Sequence, residues 1–389
     1  MTRRGLLILL GSSALPALSG CAGLPAVGPS ASDVVSQSVS ASVPQYELVA
    51  VTADVAAILN RRPQDSFLST FGDYRPSLEP RIGVGDTLSI TIWEAAAGGL
   101  FSAPLMTDRF STGSKSATIP EQVVARDGAI SVPYAGRIRV AGQTIYNVQR
   151  LVERALDGQA IQPQALVSVV RPVSNSATVV GEVSTGARVP LSTRGDRLMD
   201  VVASAGGTRA PVNEIFIQVM RGSRAARVSM TRVMQDPREN IYVRPDDVIT
   251  LVREPQRFVA YGATGRNAEV AFESETMSLA EGLAKAGGLL DHRSDPAGIF
   301  VIRYETAEIA RKLAPNSPLI SGQQRVPIVY RLDMTNTASL FVAQRFPLFA
   351  KDVLYVSNAP GADLQKVFQI VSALTAPAAT GASVYAVTR

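Results

Sequence analysis

The sequence predicts an α/β (α+β) chain built of several domains. Three observations lead there. Short stretches that alternate apolar and polar residues, the pattern of half-buried strands, are interleaved with single segments of helical period. One strand–helix–strand pattern occurs twice at constant spacing. The chain has 389 residues, 46% of them apolar and 18% charged, enough for two to four domains of roughly 100–200 residues each. This composition excludes a disordered chain, and a single Cys with aperiodic Gly excludes a disulfide scaffold and a collagen. The formal charge is +5, from 38 Lys and Arg against 33 Asp and Glu. The basic residues are scattered without aromatic interleaving, so no nucleic-acid partner is expected.

Residues 1–20 read as a lipoprotein signal peptide. Met1–Arg4 is basic, and Gly5–Leu18 is apolar but interrupted by Gly11 and Pro16, too short to span a bilayer. The segment ends in Leu18-Ser19-Gly20-Cys21, which resembles the bacterial lipobox, with Cys21 as the lipidated residue. A lone Cys suits an oxidising compartment when it is capped by lipid. Ala22 follows Cys21 where an Asp would favour inner-membrane retention, so the outer membrane is expected. Residues 21–73 form a tether and N-terminal segment, and 22–45, rich in Ser, Ala, Gly and Pro, read as flexible.

The first folded domain is expected over 74–172. Leu88, Ile90 and Ile92 alternate with Ser and Thr in a strand entered through Arg81-Ile82-Gly83-Val84-Gly85-Asp86. Asp127-Gly128 marks a hairpin turn, and Ile138 and Val140 belong to the next strand. Ile145, Val148, Leu151, Val152, Ala155 and Leu156 then share one helical face, with Thr144 as N-cap and Gly158 as C-cap. Pro163 precedes a strand over Ala165–Val170. In order, these landmarks resemble the polysaccharide export domain of the outer-membrane polysaccharide export (OPX) lipoproteins: Tyr74 through Leu88, Asp127-Gly128 through Gly136, Val140-Ala141-Gly142 to Thr144, and Pro163 to Val167.

Two copies of one module follow, at 177–254 and 257–358. Gly181 and Gly262 each follow a short strand, Thr178–Val180 and Phe258–Tyr261. Leu198 and Leu279 each lead a helix, and Ala205-Gly206-Gly207 and Ala286-Gly287-Gly288 close those helices; each pair is 81 residues apart. Ser278 and Glu281 make a capping box. Each copy ends on an Asp-led strand, at Asp247 and Asp352, the form already seen at Asp86. The repeat resembles the soluble-ligand-binding β-grasp (SLBB) module, whose tandem copies after an export domain are the OPX arrangement. The second copy carries an insertion at 305–327, read as a loop from Pro315, Pro318 and Pro327.

Candidate catalytic chemistry is sparse. His292 is the only His, without Cys partners for a zinc site or dyad, and reads as a loop residue. Gly113-Ser114-Lys115-Ser116 lacks the glycines of a phosphate-binding loop. A glycosidase needs two carboxylates; Asp246/Asp247 and Glu273/Glu275 are candidates. But Asp247 belongs to a motif repeated at Asp86 and Asp352, which points to a turn cap, and the Glu pair reads as a solvated run. Trp93 is read as packing in a core or interface rather than stacking on sugar. No enzyme activity, cofactor or metal is expected.

The C-terminal segment 361–389 reads as an amphipathic membrane helix. Leu364, Val367, Phe368, Val371 and Leu374 share a membrane-facing arc; Gln365, Lys366, Gln369 and Ser372 lie opposite, facing a lumen. Residues 362–376 span about 22 Å, and continuation past Pro377 to Thr388 gives about 40 Å against a hydrocarbon core of about 30 Å. The family resemblance implies a ring-shaped homo-oligomer, an octamer, whose lumen passes capsular polysaccharide or exopolysaccharide. It implies a helical barrel in outer-membrane lipid, most of the chain in the periplasm, and docking to an inner-membrane polysaccharide co-polymerase, often a tyrosine autokinase. The alternatives are a periplasmic polysaccharide-binding lipoprotein without a pore, and a periplasmic hydrolase.

Overall fold

The computed structural model describes residues 28–40, 44–72, 79–95, 100–101 and 116–360. The chain divides into two compact units, Gln64–Glu254 and Met1–Pro63 with Pro255–Arg389.

The N-terminal segment contributes to both units. It forms α1 (Ala31–Ser40), β1 (Glu47–Ala50), α2 (Ala53–Asn60) and α3 (Phe67–Phe71). The expectation of a flexible tether over 22–45 is corrected here, since 31–40 is helical. Ser30 and Asp33 exchange capping bonds: Asp33 N donates to Ser30 Oγ at 3.2 Å, and Ser30 N to Asp33 Oδ2 at 3.0 Å. Val34 then buries against Phe300, Val329 and Tyr355. A Ser-rich helix of this kind is held by packing rather than by propensity.

The unit Gln64–Glu254 starts with α3 and a small domain of β2 (Thr87–Trp93), β3 (Ser116–Val123), β4 (Ala129–Val132), β5 (Gly136–Arg139), α4 (Ile145–Leu156) and β6 (Gln164–Arg171). Its sheet runs β3-β2-β6, all antiparallel, beside a β4–β5 hairpin. Leu88, Ile90 and Ile92 are fully buried, and Val148, Val152 and Leu156 of α4 close over them. Thr144 Oγ1 accepts from Asn147 N at 3.3 Å, capping α4 as the sequence predicts. Gly158 stands one residue beyond the cap Asp157, in the left-handed region. Asp127-Gly128 forms a turn that leads into β4, whereas the hairpin itself reverses between Val132 and Gly136, with Tyr134 left-handed.

The first module follows as β7 (Ser176–Gly181), β8 (Ala187–Pro190), α5 (Leu198–Ser204), β9 (Ile215–Arg221), β10 (Arg224–Ser229), α6 (Met230–Gln235) and β11 (Val248–Arg253). Its sheet order is β10-β9-β11-β7-β8, with only β11 and β7 parallel. The helices lie on one face, burying Leu198, Val201, Val202, Met230 and Val233 with Ile217, Val219 and Ile249. Phe67 and Phe71 of α3 join that core. Glu239, buried itself, accepts from Phe67 N at 2.7 Å and so caps α3.

The second unit holds β12 (Arg257–Gly262), β13 (Ala268–Ala271), β14 (Met277–Ser278), α7 (Leu279–Lys285), β15 (Ser294–Thr306), α8 (Ala307–Leu313), β16 (Arg325–Leu332), α9 (Thr337–Arg345), β17 (Pro347–Leu348) and β18 (Val353–Asn358). The order β16-β15-β18-β12-β13 reproduces the first module strand for strand, and β1 adds outside β16 in parallel. In both copies the helix closes in a Schellman motif: Gly207 N donates to Val202 O at 3.1 Å and Gly288 N to Leu283 O at 2.9 Å. Both motifs place their two glycines at positive φ, which explains the Ala-Gly-Gly repeat.

The insertion at 305–327 is ordered secondary structure rather than a loop. β15 runs through Thr306, which caps α8, and Ile309 and Ala310 of α8 enter the core. Pro318 opens a short 3-10 turn, where its missing N–H is harmless. Pro327 sits inside β16, one residue before the β1 ladder starts at Ile328.

Candidate functional site

Cys21 lies outside the described residues, as do Leu364, Val367, Phe368, Val371 and Leu374, and Gln365, Lys366, Gln369 and Ser372. Among the described residues no helix is long and apolar enough to cross a membrane. The structure does place the two segments that flank these residues. Tyr355 Oη donates to Pro29 O at 2.7 Å. A Cβ on Gly298 would meet Ala31 Cβ and Ser357 Oγ. Ala359 N donates to Arg293 O at 2.8 Å. The chain therefore comes into the second module at residues 28–31 and leaves it at 358–360 from the same end of its sheet.

The three Asp-led strands share one geometry. Each Asp accepts from the backbone N–H three residues earlier: Gly83 N to Asp86 at 2.8 Å, Arg244 N to Asp247 at 2.8 Å, and Phe349 N to Asp352 at 2.7 Å. The residue before each Asp is left-handed: Gly85, Asp246 and Lys351. These carboxylates are buried turn caps. Asp86 also accepts from Ser174 N and Ser174 Oγ, both at 2.7 Å. In the modules an Arg on the neighbouring strand grips the Asp with two bonds: Arg221 to Asp247 at 2.9 and 2.8 Å, and Arg303 to Asp352 at 2.6 and 2.5 Å.

The second module extends that pair into a buried network. Arg303 Nη1 donates to Glu305 at 3.2 Å, Tyr330 Oη donates to the same oxygen at 2.8 Å, and Arg62 pairs with the other oxygen of Glu305. The Arg62 and Arg303 guanidinium groups lie 4.3 and 4.4 Å from the centre of the Phe349 ring. Burial is the largest influence on Arg303 and opposes its charge. Asp352 and Glu305 outweigh it, so the guanidinium holds its proton more firmly than a free one. Burial pushes the Tyr330 phenol above its usual range, and the Glu305 charge adds to that. The network balances its own charge and has no carboxylate free to act on a substrate.

The remaining sequence candidates stand apart from one another. His292 is exposed in a turn. Glu273 is exposed and pairs with Lys285. Trp93 is 40% exposed, outside the core of its own domain. Among the described residues no cluster of His, Cys, Asp and Glu could hold a metal ion.

Sequence reasoning missed a groove of about 560 Å³ on the outer face of the second module's sheet, away from α7, α8 and α9. Val34 and Gln37 of α1 line one side, and Tyr261, Ile302 and Tyr304 line the open part. Phe300, Val329 and Tyr355 at its base bury against α1. The groove is apolar and aromatic, and Arg303, the one charged residue among its described lining, is already neutralised. Its signal in the sequence was the alternation of Phe300, Ile302 and Tyr304 with the core residues Ile299 and Val301.

Residues 75–170 match the family described as polysaccharide biosynthesis/export protein. The chain is 37% identical over 377 residues to the capsule polysaccharide export outer membrane protein CtrA of Neisseria meningitidis serogroup B, covering 95% of this chain and 94% of that protein. It is 33% identical over 369 residues to the capsule polysaccharide export protein BexD of Haemophilus influenzae, covering 92% and 93%. It is 28% identical over 361 residues to the EPS I polysaccharide export outer membrane protein EpsA of Ralstonia nicotianae, covering 88% of each.

Proposed function

The chain belongs to the outer-membrane polysaccharide export family, and from that premise we propose that it carries capsular polysaccharide or exopolysaccharide across the outer membrane as a ring-shaped homo-oligomer. Its role is transport, not catalysis, and the Arg-paired Asp turns of the two modules suit that role. In this reading Cys21 carries lipid and 361–389 supplies an amphipathic helix to a barrel of helices. The membrane-facing arc would be Leu364, Val367, Phe368, Val371 and Leu374. The opposite end of the ring would dock to an inner-membrane co-polymerase in the periplasm.

The observation that supports the reading beyond similarity is the common end of the second module from which both flanks depart. Six residues lie between Cys21 and Gly28, so the two are at most about 25 Å apart. An acylated Cys21 would hold that end of the module at the membrane, and the C-terminal segment starts from the same place. Acyl chains in pairs are enough for stable anchoring.

Electron microscopy of detergent-extracted protein tests the proposal. Rings with a central lumen are expected, and a monomer of the 41.2 kDa chain at all concentrations would refute it. Mass spectrometry of the mature N-terminus should find an acylated residue 21. An epitope tag placed after Arg389 should be reachable on intact cells. A tag reached only after permeabilisation would favour the non-spanning periplasmic lipoprotein instead.

A further inference from the structure

Each module exposes apolar side chains on two opposite sides. In the second module Tyr261, Ile302 and Tyr304 stand open on the outer sheet face. On the other side of the sheet, α9 buries Ala343 in the core and turns Leu340 and Phe341 outward. Phe341 and Tyr304 are both 66% exposed, unusual for large side chains with no role in their own core. α9 carries a single charged residue, Arg345, in nine; a helix face meant for water normally carries more.

The first module repeats this arrangement. Val248 pairs with Met220 as Val353 pairs with Ile302, so Met220 and Ile302 are equivalent. Val180 and Tyr261 are 81 residues apart, the repeat offset. Val180 and Met220 are exposed on the outer sheet face, and Met234 is exposed on α6, the helix that follows the edge strand β10 as α9 follows β16. A site for one small ligand need be built only once. Two modules that keep the same apolar positions on the same two sides share a constraint common to both.

We infer that α9 of one copy of this chain seats Leu340 and Phe341 in the outer-face groove of the next copy's second module, with α6 and the face around Val180 and Met220 making the corresponding contact in the first. The chemistry is complementary: Phe341 stands exposed on α9, and the groove is concave, lined by aromatic rings, and its Arg303 is already paired with Asp352. An apolar knob on one side and a complementary groove on another make a heterologous contact, which repeats head to tail and closes when the rotation permits. The ring of the proposed function supplies that closure, and the inference rests on it for the closure alone.

Thiol cross-linking in the full chain in detergent tests the contact. The parent chain, whose one Cys is Cys21, sets the background. The double variant Tyr304→Cys/Phe341→Cys, treated with a short bis-maleimide, should give a ladder of covalent multimers. Each single variant should give none, because neither face meets itself. Phe341→Glu, at an exposed position, should convert the large oligomer to smaller species in light scattering while circular dichroism stays unchanged. Covalent dimers from either single variant would show a two-fold contact and overturn the inference. So would a large oligomer that resists Phe341→Glu and yields no ladder; the ring would then stand, and the groove would face another occupant such as polysaccharide. A monomer in every variant and in the parent would overturn the ring and the contact together.

Discussion

Arg303→Met should open the second module locally and leave the first intact. Arg303 is buried and donates four hydrogen bonds: two to Asp352, one to Glu305 and one to Pro347 O at 2.9 Å. Met fills similar volume but leaves the Asp352 and Glu305 carboxylates buried with their principal cation gone. Breaking a buried ion pair from one side costs about 3–5 kcal/mol, because the surviving charge is uncompensated. Arg62, still on Glu305, offsets part of that on one carboxylate only. Since 1.4 kcal/mol is a factor of ten, hydrogen-exchange protection should fall about 100-fold to 1,000-fold in β15 and β18. Amides of β9 and β11 in the first module serve as the internal control within the same chain. The double variant Arg303→Met/Asp352→Leu should recover part of the loss, because it removes a stranded charge as well. Unchanged protection in Arg303→Met, or a double variant worse than the sum of its singles, would refute the view that these charges are held by one another.

Two further perturbations probe the module frame, and a third its N-terminal elements. Gly262→Ala should cost about 1–3 kcal/mol, because Gly262 has φ +94° and a Cβ there would strike the Val356 carbonyl; Gly181→Ala, facing Leu251 O at φ +97°, should do the same in the first module, with thermal shift as the measure. Tyr330 keeps its proton in the folded state above the pH at which a free phenol ionises, near 10. Its contribution is therefore complete below pH 10 and is lost as pH rises, by about 1.4 kcal/mol per unit. Urea midpoints should fall more steeply above pH 10 for the parent than for Tyr330→Phe, and parallel curves would contradict this. Deleting residues 28–60 should cause aggregation, because it bares the β16 edge together with Phe300, Val329 and Tyr355. A deleted chain that stays dispersed, with β15–β16 protection unchanged, would be the contrary result.

Features that a sequence encodes locally were legible. Leu88, Ile90 and Ile92 alternate because one face of β2 is solvated, and they are buried as read. The 81-residue offset is visible because Gly181, Gly262 and the Ala-Gly-Gly ends occupy backbone positions that other residues tolerate poorly. The Asp turns were read correctly from their recurrence alone. The Arg partners were missed, because Arg221 and Arg303 lie 26 and 49 residues from their Asp and no short-range pattern joins them.

The misread segments are those whose order comes from distant contacts. α1 has the composition of a linker, and beyond its Ser30–Asp33 cap it is packing on Phe300, Val329 and Tyr355 that makes a helix the favourable state. β1 is four residues long, and its partner β16 is about 280 residues away in the chain, so its pairing leaves no local trace. The insertion at 305–327 failed in the opposite sense. Its prolines suggested a loop, yet Pro318 and Pro327 occupy the few places in a turn and a strand that tolerate a missing donor. The groove belongs to this class as well. Its walls come from α1, β12, β15 and β16, so no single stretch of sequence contains it, and its meaning emerges only when the second module is set beside the first. The exposed apolar residues recur on both sides of both modules, and it is on this recurrence, which no single stretch of sequence displays, that the inferred contact between copies rests.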